Sequence, residues 1–356
     1  MTPLEREIRS IIETEGPMTV SDYMKICLTH PRYGYYVTRD PLGEKGDFIT
    51  APEVSQMFGE LIGAWAATVW RQMGSPARVN LIELGPGRGT LMADVLRTAK
   101  ALPEFYAACS VHLVEISPAL RARQQQTLAR DGLVHWHDAL GSVPESPAIT
   151  IANEFIDALQ VHQFVRDTDG WHLRVVGIAD DKLAFGVVPA PMPKDFNDDA
   201  PDAPVGSILE LRDEGPIALL AQRIVQDGGA ALILDYGHST LGFGDTLQAV
   251  RKHAYTDPLM HSGEADLTTQ VNFAELATWA QRNGAKVGGP VMQGDFLRRL
   301  GIEARAARLK QGATPEQAAD IDAALMRLTA PDQMGELFKV LAFAHPALGP
   351  LPGFDT

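Results

Sequence analysis

The chain has 356 residues and a formal net charge of −14, and 45% of its residues are hydrophobic. This composition is typical of a globular protein large enough for two compact units or one large domain. Its 45 acidic residues outnumber 31 basic ones, which argues against a general nucleic-acid binder because phosphate contacts need a concentrated basic face. Cys27 and Cys109 are the only cysteines, so we expect no disulfide framework, no cysteine zinc site and a reducing compartment. No segment reaches the roughly 20 apolar residues of a membrane span.

The N-terminal part, residues 1–75, is predicted to consist of helices and loops. Thr2 has the position of an N-cap, with Pro3 in the first turn and Glu5 three positions after the cap. A second helix is expected near SDYMKICLTH. A third, VSQMFGELIGAWAATVW, is expected to begin after Pro52. Its apolar face is predicted to contain Met57, Leu61, Ala64 and Trp65.

Short apolar runs alternate with helical segments from Arg78 onwards. Five runs have the composition of parallel strands buried on both faces: VNLIEL, SVHLVEI, LVHW, AITIAN and AALILDY. This alternation predicts an α/β sheet. An insertion at residues 159–206 is predicted to form antiparallel β-hairpins followed by a Pro/Asp-rich loop. We therefore expect a core over residues 76–356 behind an N-terminal extension over residues 1–75.

A glycine loop follows the first of these strands, in the segment NLIELGPGRGTLM. Gly85, Gly87 and Gly89 allow a sharp turn and a close approach to a ligand, and a helix beginning at Thr90 offers free amide donors. The loop lacks both the Gly-Lys-Ser/Thr ending of an ATP- or GTP-binding loop and the G-x-G-x-x-G spacing of a dinucleotide site. Glu83 would also repel a phosphate. S-adenosylmethionine carries an ammonium and a sulfonium but no phosphate, so the sequence favours it as the cofactor.

Polar residues follow the ends of the next three strands, where ligands of open α/β sheets bind. Glu115 is placed to accept hydrogen bonds from two ribose hydroxyls, and Asp138 to take the adenine amino group. A structural turn and helix N-caps are the alternative roles of the loop and of the strand-end acids. The predicted cofactor contacts are Glu83, Gly85, Pro86, Gly87, Gly89, Thr90, Glu115, Ile116, Asp138, Ala139, Asn153, Phe48 and Thr50.

Four segments carry a resemblance to a known family: GDFITAPEVSQMFGELIGAW, LIELGPGRGTL, ANEFIDALQVHQF and ILDYGH. They resemble the MidA family of S-adenosylmethionine-dependent methyltransferases, in order and over nearly the whole chain. The resemblance implies a class I, Rossmann-like, seven-stranded methyltransferase core, a helical N-terminal extension and a protein arginine as acceptor. Mitochondrial members assist assembly of respiratory complex I by methylating an arginine of its 49-kDa subunit, so a subunit of that type is the expected partner. Because the chain lacks an Arg-rich transit peptide, we expect a bacterial cytoplasmic protein, or a processed form in the mitochondrial matrix.

An arginine acceptor requires carboxylates, because a guanidinium has a pKa above about 12 and is a poor nucleophile until paired hydrogen bonds localise its charge. Glu154 is the first candidate catalytic residue. Asp157, one turn on, is the second, with an ordinary helix-surface acid as its alternative. Glu53 is the third, in a lid over the cofactor, although it also suits the first turn of the following helix. Asp47 and His238 are predicted substrate contacts. The lid would include Asp47, Phe48 and Thr50.

Other polar and aromatic residues near the strand ends are given no catalytic role. His135 and His137 point the same way from one strand, but no third ligand is nearby in sequence, so no metal site is expected. Trp136 and Phe155 are predicted to pack in the core instead of stacking on adenine.

Two other functions remain open. One is methylation of a small molecule or another protein, since the fold does not choose the acceptor. The other is an assembly chaperone that binds the cofactor without requiring catalysis.

Overall fold

The computed structural model describes residues 1–38, 50–129, 132, 134–190 and 203–354. The helices are α1 Pro3–Glu15, α2 Val20–Thr29, α3 Tyr35–Thr38, α4 Ala51–Val54, α5 Gln56–Gln72, α6 Thr90–Lys100, α7 Pro103–Ala108, α8 Pro118–Thr127, α9 Gly215–Asp227, α10 Phe273–Arg282, α11 Gln293–Arg299, α12 Ile302–Lys310 and α13 Pro315–Thr329. The strands are β1 Met18–Thr19, β2 Val79–Leu84, β3 Cys109–Val114, β4 Val134–His137, β5 Ala148–Asn153, β6 Val161–Asp167, β7 Gly170–Ala179, β8 Lys182–Pro189, β9 Ile208–Arg212, β10 Gly229–His238, β11 Gln248–Arg251, β12 Ala254–Thr256, β13 Asp266–Thr268, β14 Val271–Asn272, β15 Lys286–Met292 and β16 Phe338–Ala344.

The largest sheet has the strand order β4-β3-β2-β5-β10-β16-β15, and the short β14 pairs with the end of β10. Neighbouring strands are parallel from β4 to β10, whereas β16 is antiparallel to both β10 and β15. β2 and β5 are buried along their whole length, as expected of parallel strands covered on both faces. The predicted α/β class and the seven-stranded core are confirmed. The strand order reverses between β2 and β5, which is where open α/β sheets bind ligands.

Helices cover both faces of this sheet. On one face, α5 and α6 pack together and bury Phe58, Met92 and Leu96. On the other face, α9 and α10 bury Leu220 and Phe273. Removing each of these side chains from water contributes about 1.5–3 kcal/mol. The two apolar clusters therefore hold the strands, and with them the strand ends, in fixed positions.

Side-chain caps start the helices of the N-terminal part. Thr2 accepts a hydrogen bond from the Glu5 amide at 3.0 Å, as predicted. The third predicted helix is wrong in one respect, because its backbone is extended at Ser55 (φ −164°, ψ 141°) and the segment forms two helices, α4 and α5. Ser55 caps α5 by accepting a hydrogen bond from the Met57 amide at 3.2 Å. A serine that can cap thus ends one helix and starts the next.

Three of the four residues predicted on the apolar face of α5 are buried, namely Met57, Leu61 and Trp65. The prediction for Ala64 is wrong, since Ala64 is exposed together with Thr68, four residues later. A single methyl group gains little free energy from burial. The sequence pattern therefore does not determine whether Ala64 lies on the buried or the exposed face of α5.

The insertion after β5 forms a second, antiparallel sheet with the order β1-β7-β6-β9, in which β8 pairs with β7. β1 joins this sheet through Met18, which is paired with Val176. Leu4 of α1 and Tyr23 of α2 are buried in the same apolar cluster as Val176. The first two helices therefore pack on the insertion, whereas α5 packs on the main sheet.

Two further elements complete the described structure. β11, β12 and β13 form a three-stranded antiparallel sheet that the sequence did not predict. Between β15 and β16, the helices α11, α12 and α13 pack together, and α12 and α13 also contact α5 and α4. Throughout the described ranges, no helix combines the length and apolar character required to cross a bilayer.

Candidate active site

A cavity of about 610 Å³ lies at the carboxyl edge of the main sheet, where the strand order reverses. The ends of β2, β3, β4 and β5 and the short helix α4 all contribute to its walls. The structure brings these predicted site residues to the cavity: Thr50, Glu53, Glu83, Gly85, Pro86, Gly87, Thr90, Glu115, Ile116, Asp138, Ala139, Asn153 and Glu154. Residues from separate segments of the chain thus converge on one cavity.

The glycine loop turns from β2 into α6 in a left-handed backbone conformation, which residues with a side chain rarely adopt. Gly85, Gly87 and Gly89 have φ values of 63°, 52° and 80°. A Cβ atom on Gly85 would lie 2.6 Å from Cδ2 of Phe155, which lines the cavity. Gly89, also predicted as a cofactor contact, is the N-cap of α6 and does not line the cavity. The loop needs glycine for its conformation and for the close approach of Phe155.

Two buried acceptor atoms in the cavity wall have no hydrogen-bond partner among the described residues, namely Oε2 of Glu83 and Oδ1 of Asn153. Burial raises the pKa of Glu83 to about 8, although the Met92 amide lowers it. Buried unpaired acceptors are costly, so a cationic donor that reaches both would stabilise them. An approaching ammonium group would lower the pKa of Glu83 and pair with the ionised carboxylate, whereas a phosphate would raise that pKa further.

Glu115 follows β3 and is almost fully buried. Its Oε1 accepts a hydrogen bond from the Ser117 amide at 2.7 Å, and its Oε2 accepts one from Gln124 at 3.2 Å. Burial raises its pKa, and these hydrogen bonds lower it. Asp138 is exposed and forms an ion pair with Arg121 at 2.6 Å. The hydrogen bonds from Ser117 and Gln124 fix the Glu115 carboxylate, and a fixed carboxylate suits a pair of ribose hydroxyls.

Glu154 follows β5 with a left-handed backbone (φ 49°), which is uncommon for a non-glycine residue. Its Oε1 accepts hydrogen bonds from the Ala51 amide at 2.9 Å and from Nδ2 of Asn153 at 3.2 Å. Oε2 has no hydrogen bond within the described residues. Burial raises the pKa of Glu154 to about 7, and the nearby Asp157 carboxylate also raises it. The residue thus presents one fixed and one available oxygen at the cavity.

Asp157 does not lie on a helix, and both its predicted position one helical turn after Glu154 and the helix-surface alternative are wrong. Residues 154–160 form a turn that leads directly into β6. The helix that would follow a core strand is displaced to α9 by the insertion. Asp157 is buried and does not line the cavity. Burial raises its pKa, while Arg212 lowers it.

Asp235 and Arg212 hold this turn, and sequence reasoning did not propose either. Oδ2 of Asp235 accepts hydrogen bonds from the amides of Ile156 at 2.9 Å and Asp157 at 3.1 Å. Arg212 donates to the Ile156 carbonyl at 3.2 Å and to the Thr269 carbonyl at 3.0 Å. Both side chains are buried. The sequence signal that could have indicated these residues is a charged side chain within or at the end of a buried strand, such as Asp235 in ILDYGH.

The lid residues are only partly described. Glu53 lines the cavity and accepts a hydrogen bond from the Thr90 hydroxyl at 2.8 Å. It also lies in the first turn of α4, so it occupies both of its predicted positions, beside the cavity and at the start of a helix. Asp47 and Phe48 lie outside the described residues. His238 does not line the cavity, and its Nδ1 is 2.5 Å from the Thr240 carbonyl oxygen.

A third imidazole lies beside the two histidines of β4. Nδ1 of His112 is 2.9 Å from Nε2 of His137, and its ring is stacked 5.1 Å from that of His135. Burial and these neighbours lower the pKa of His112 to about 4. Its Nε2 contacts Ser110, so both of its ring nitrogens are engaged. These three histidines do not line the cavity.

In the described ranges, ligand atoms close enough to share one ion occur at Asp167, Asp169 and His172. These residues do not line the cavity either.

Comparison with known proteins identifies the family of this chain. A family model described as an S-adenosyl-L-methionine-dependent methyltransferase matches residues 61–291. The chain belongs to this family. It is therefore a methyltransferase, its cofactor is S-adenosylmethionine, and the predicted family membership is confirmed.

Full-length relatives and solved structures agree with this family. The Drosophila melanogaster protein arginine methyltransferase NDUFAF7 homolog, mitochondrial, is 40% identical, with 99% of this chain and 88% of that protein covered. The Homo sapiens protein arginine methyltransferase NDUFAF7, mitochondrial, is 38% identical, with coverage of 96% and 83%. A crystal structure from Burkholderia thailandensis bound to S-adenosyl-homocysteine has a TM-score of 0.84 at 26% identity, with coverage of 98% and 93%.

Proposed function

We propose that this methyltransferase transfers a methyl group to an arginine of a protein, and that the acceptor is a 49-kDa-type subunit of respiratory complex I. The names of the relatives support the arginine acceptor, and the resemblance to the MidA family supports the subunit. The observation that carries the proposal is the carboxylate of Glu154, which has one oxygen fixed by the Ala51 amide and the other available beside the cofactor cavity.

The cavity wall offers a contact for each part of the cofactor. Glu83 and Asn153 would hold its ammonium group, and Glu115 its ribose. Asp138 and the half-exposed Ile116 would contact the adenine. When bound, the cofactor supplies an electrophilic methyl group on a sulfonium. The glycine loop allows the backbone to approach this ligand without a side chain in between.

Glu154 would bind and orient the acceptor. The available Oε2 of the ionised carboxylate can accept hydrogen bonds from a guanidinium, which localises the charge of that group and leaves one nitrogen facing the methyl group. The approach of the cation lowers the pKa of Glu154 below about 7, so the carboxylate becomes ionised as the acceptor binds. The methylated nitrogen must lose a proton. Glu154 can accept it, because a group with a pKa near the working pH is an efficient general base.

We further propose that residues 1–75 act as an extension that closes over this site, in front of a core at residues 76–356. Two contacts of α4 support this role. The Ala51 amide donates to Glu154 on one side of the cavity, and Glu53 accepts from Thr90 on the other. Glu53 would then hold the lid closed instead of taking part in the chemistry.

The test is transfer of labelled methyl from S-adenosylmethionine to the purified 49-kDa-type subunit, with the product mapped by mass spectrometry. Wild type is compared with Gly85→Val, which should not bind the cofactor, and with Glu154→Gln, which should bind the cofactor but not transfer. A methylated arginine made only by wild type supports the proposal. Absence of label despite measurable cofactor binding would refute this acceptor, and full transfer by Glu154→Gln would remove Glu154 from the mechanism.

A further inference from the structure

Gln124 of α8 connects three of the segments that form the cofactor cavity. Its Nε2 donates hydrogen bonds to the Gly87 carbonyl at 2.7 Å and to Oε2 of Glu115 at 3.2 Å. Its Oε1 accepts one from Nε1 of Trp136 at 2.8 Å. The side chain is completely buried. One amide group thus joins the glycine loop after β2, the acid after β3 and the indole on β4.

The orientation of this amide is determined by its neighbours. An indole N–H only donates, so Trp136 requires the amide oxygen of Gln124. The carbonyl of Gly87 and the carboxylate of Glu115 only accept, so they require the two hydrogens of its nitrogen. All three contacts are satisfied by one orientation, and a rotation of the amide by 180° would break all three. The network therefore holds Glu115 in one position.

Glu115 needs such support. Burial raises its pKa, which favours the protonated form. A protonated carboxyl group accepts hydrogen bonds more weakly than a carboxylate, so it would bind two ribose hydroxyls less tightly. The hydrogen bond from Gln124 lowers the pKa of Glu115 and orients Oε2. Its contact with Gly87 also ties this carboxylate to the loop that approaches the cofactor.

We propose that Gln124 is a positioning residue that presents the Glu115 carboxylate to the ribose of the cofactor. The proposal rests on the ribose-binding role proposed for Glu115 and is independent of the acceptor. The neighbouring Gln125 and Gln126 are exposed on the same helix. Gln125→Met is therefore a matched control for Gln124→Met, which keeps the length of the side chain but removes its hydrogen bonds.

The experiment compares the binding of S-adenosylhomocysteine and of its 2′-deoxy analogue by calorimetry. Removing a hydrogen bond to a charged group costs about tenfold or more in affinity. We expect Gln124→Met to weaken S-adenosylhomocysteine binding about tenfold and to bring the affinity ratio of the two ligands towards one, while Gln125→Met binds like wild type. An equal loss for both ligands would show a merely structural role and overturn the proposal, as would an unchanged affinity.

Two further variants keep the result interpretable. Trp136→Phe removes the donor that orients the Gln124 amide, so it should lower the same ratio in part, even if Gln124→Met does not fold. A normal ratio in Trp136→Phe would contradict the network. Glu115→Gln separates the two assumptions: if it leaves the ratio unchanged, the ribose role of Glu115 is wrong and the proposal for Gln124 is wrong with it. If it lowers the ratio but Gln124→Met does not, only the proposal for Gln124 is wrong.

Discussion

Replacing Glu154 by glutamine is expected to stabilise the protein at alkaline pH while removing methyl transfer. Burial raises the pKa of Glu154 from 4.5 to about 7, and the Asp157 carboxylate adds to this effect. An acid with a raised pKa in the folded state stabilises the fold fully only while it is protonated. Its contribution is therefore present below about 4.5 and is lost as the pH rises through about 7.

The magnitude follows from the two pKa values. A change from 4.5 to about 7 corresponds to about 3 kcal/mol between the protonated and ionised forms. A glutamine keeps an oxygen for the Ala51 amide, which donates to Oε1 at 2.9 Å, but it does not ionise. The unfolding free energy of Glu154→Gln minus that of wild type is thus expected to rise by about 2–3 kcal/mol between pH 5 and pH 8.5.

The assay is urea unfolding of wild type and variant at several pH values across this range, followed by tryptophan fluorescence. Glu145→Gln is the control, because Glu145 is an exposed glutamate outside the cavity. The slope of the difference against pH is decisive, since any constant offset reflects the shape of the side chain. Parallel stability curves would show that Glu154 is not a buried acid of raised pKa, and the reasoning on its protonation would be wrong.

Three further predictions concern neighbouring residues. Gly85→Val is expected to abolish S-adenosylhomocysteine binding and to destabilise the fold by about 2–4 kcal/mol, because φ is 63° and a Cβ would lie 2.6 Å from Phe155; normal binding by calorimetry would contradict this. Glu83→Gln should weaken S-adenosylhomocysteine, which has an ammonium group, more than methylthioadenosine, which has none; equal losses would argue against Glu83 as the ammonium contact. Asp235→Ala leaves two buried amides unpaired and should cost about 2–5 kcal/mol in urea unfolding, whereas a loss below about 1 kcal/mol would show that the turn does not depend on Asp235.

The short helix α4 connects the cofactor and acceptor parts of the proposed site. Its Ala51 amide contacts Glu154, and its Glu53 side chain contacts Thr90 at the start of α6. A change in the protonation of Glu154 therefore acts on a hydrogen bond of α4. Glu154, which is proposed to bind the acceptor arginine, and α4, which is part of the proposed lid, are thus joined by a direct hydrogen bond although they are far apart in sequence.

Features that depend on neighbouring residues could be predicted from the sequence alone. The buried strands, the glycine loop and the acids at the strand ends follow from local hydrophobicity and turn chemistry, and the parallel order of the strands brings their carboxyl ends to one edge. The choice of cofactor followed from Glu83, because an acid at this position favours a cation over a phosphate.

Contacts between side chains of distant segments became visible only in the folded chain. The sequence could not show that the helix after Pro52 is interrupted at Ser55, or that the insertion converts the Asp157 segment into a turn held by Asp235. It also could not distinguish Gln124 from Gln125 and Gln126, because three consecutive glutamines differ only in which one faces the sheet. These outcomes depend on packing and on hydrogen bonds between residues up to 79 positions apart. Such contacts leave no local pattern in the sequence, since each partner alone is an ordinary polar residue.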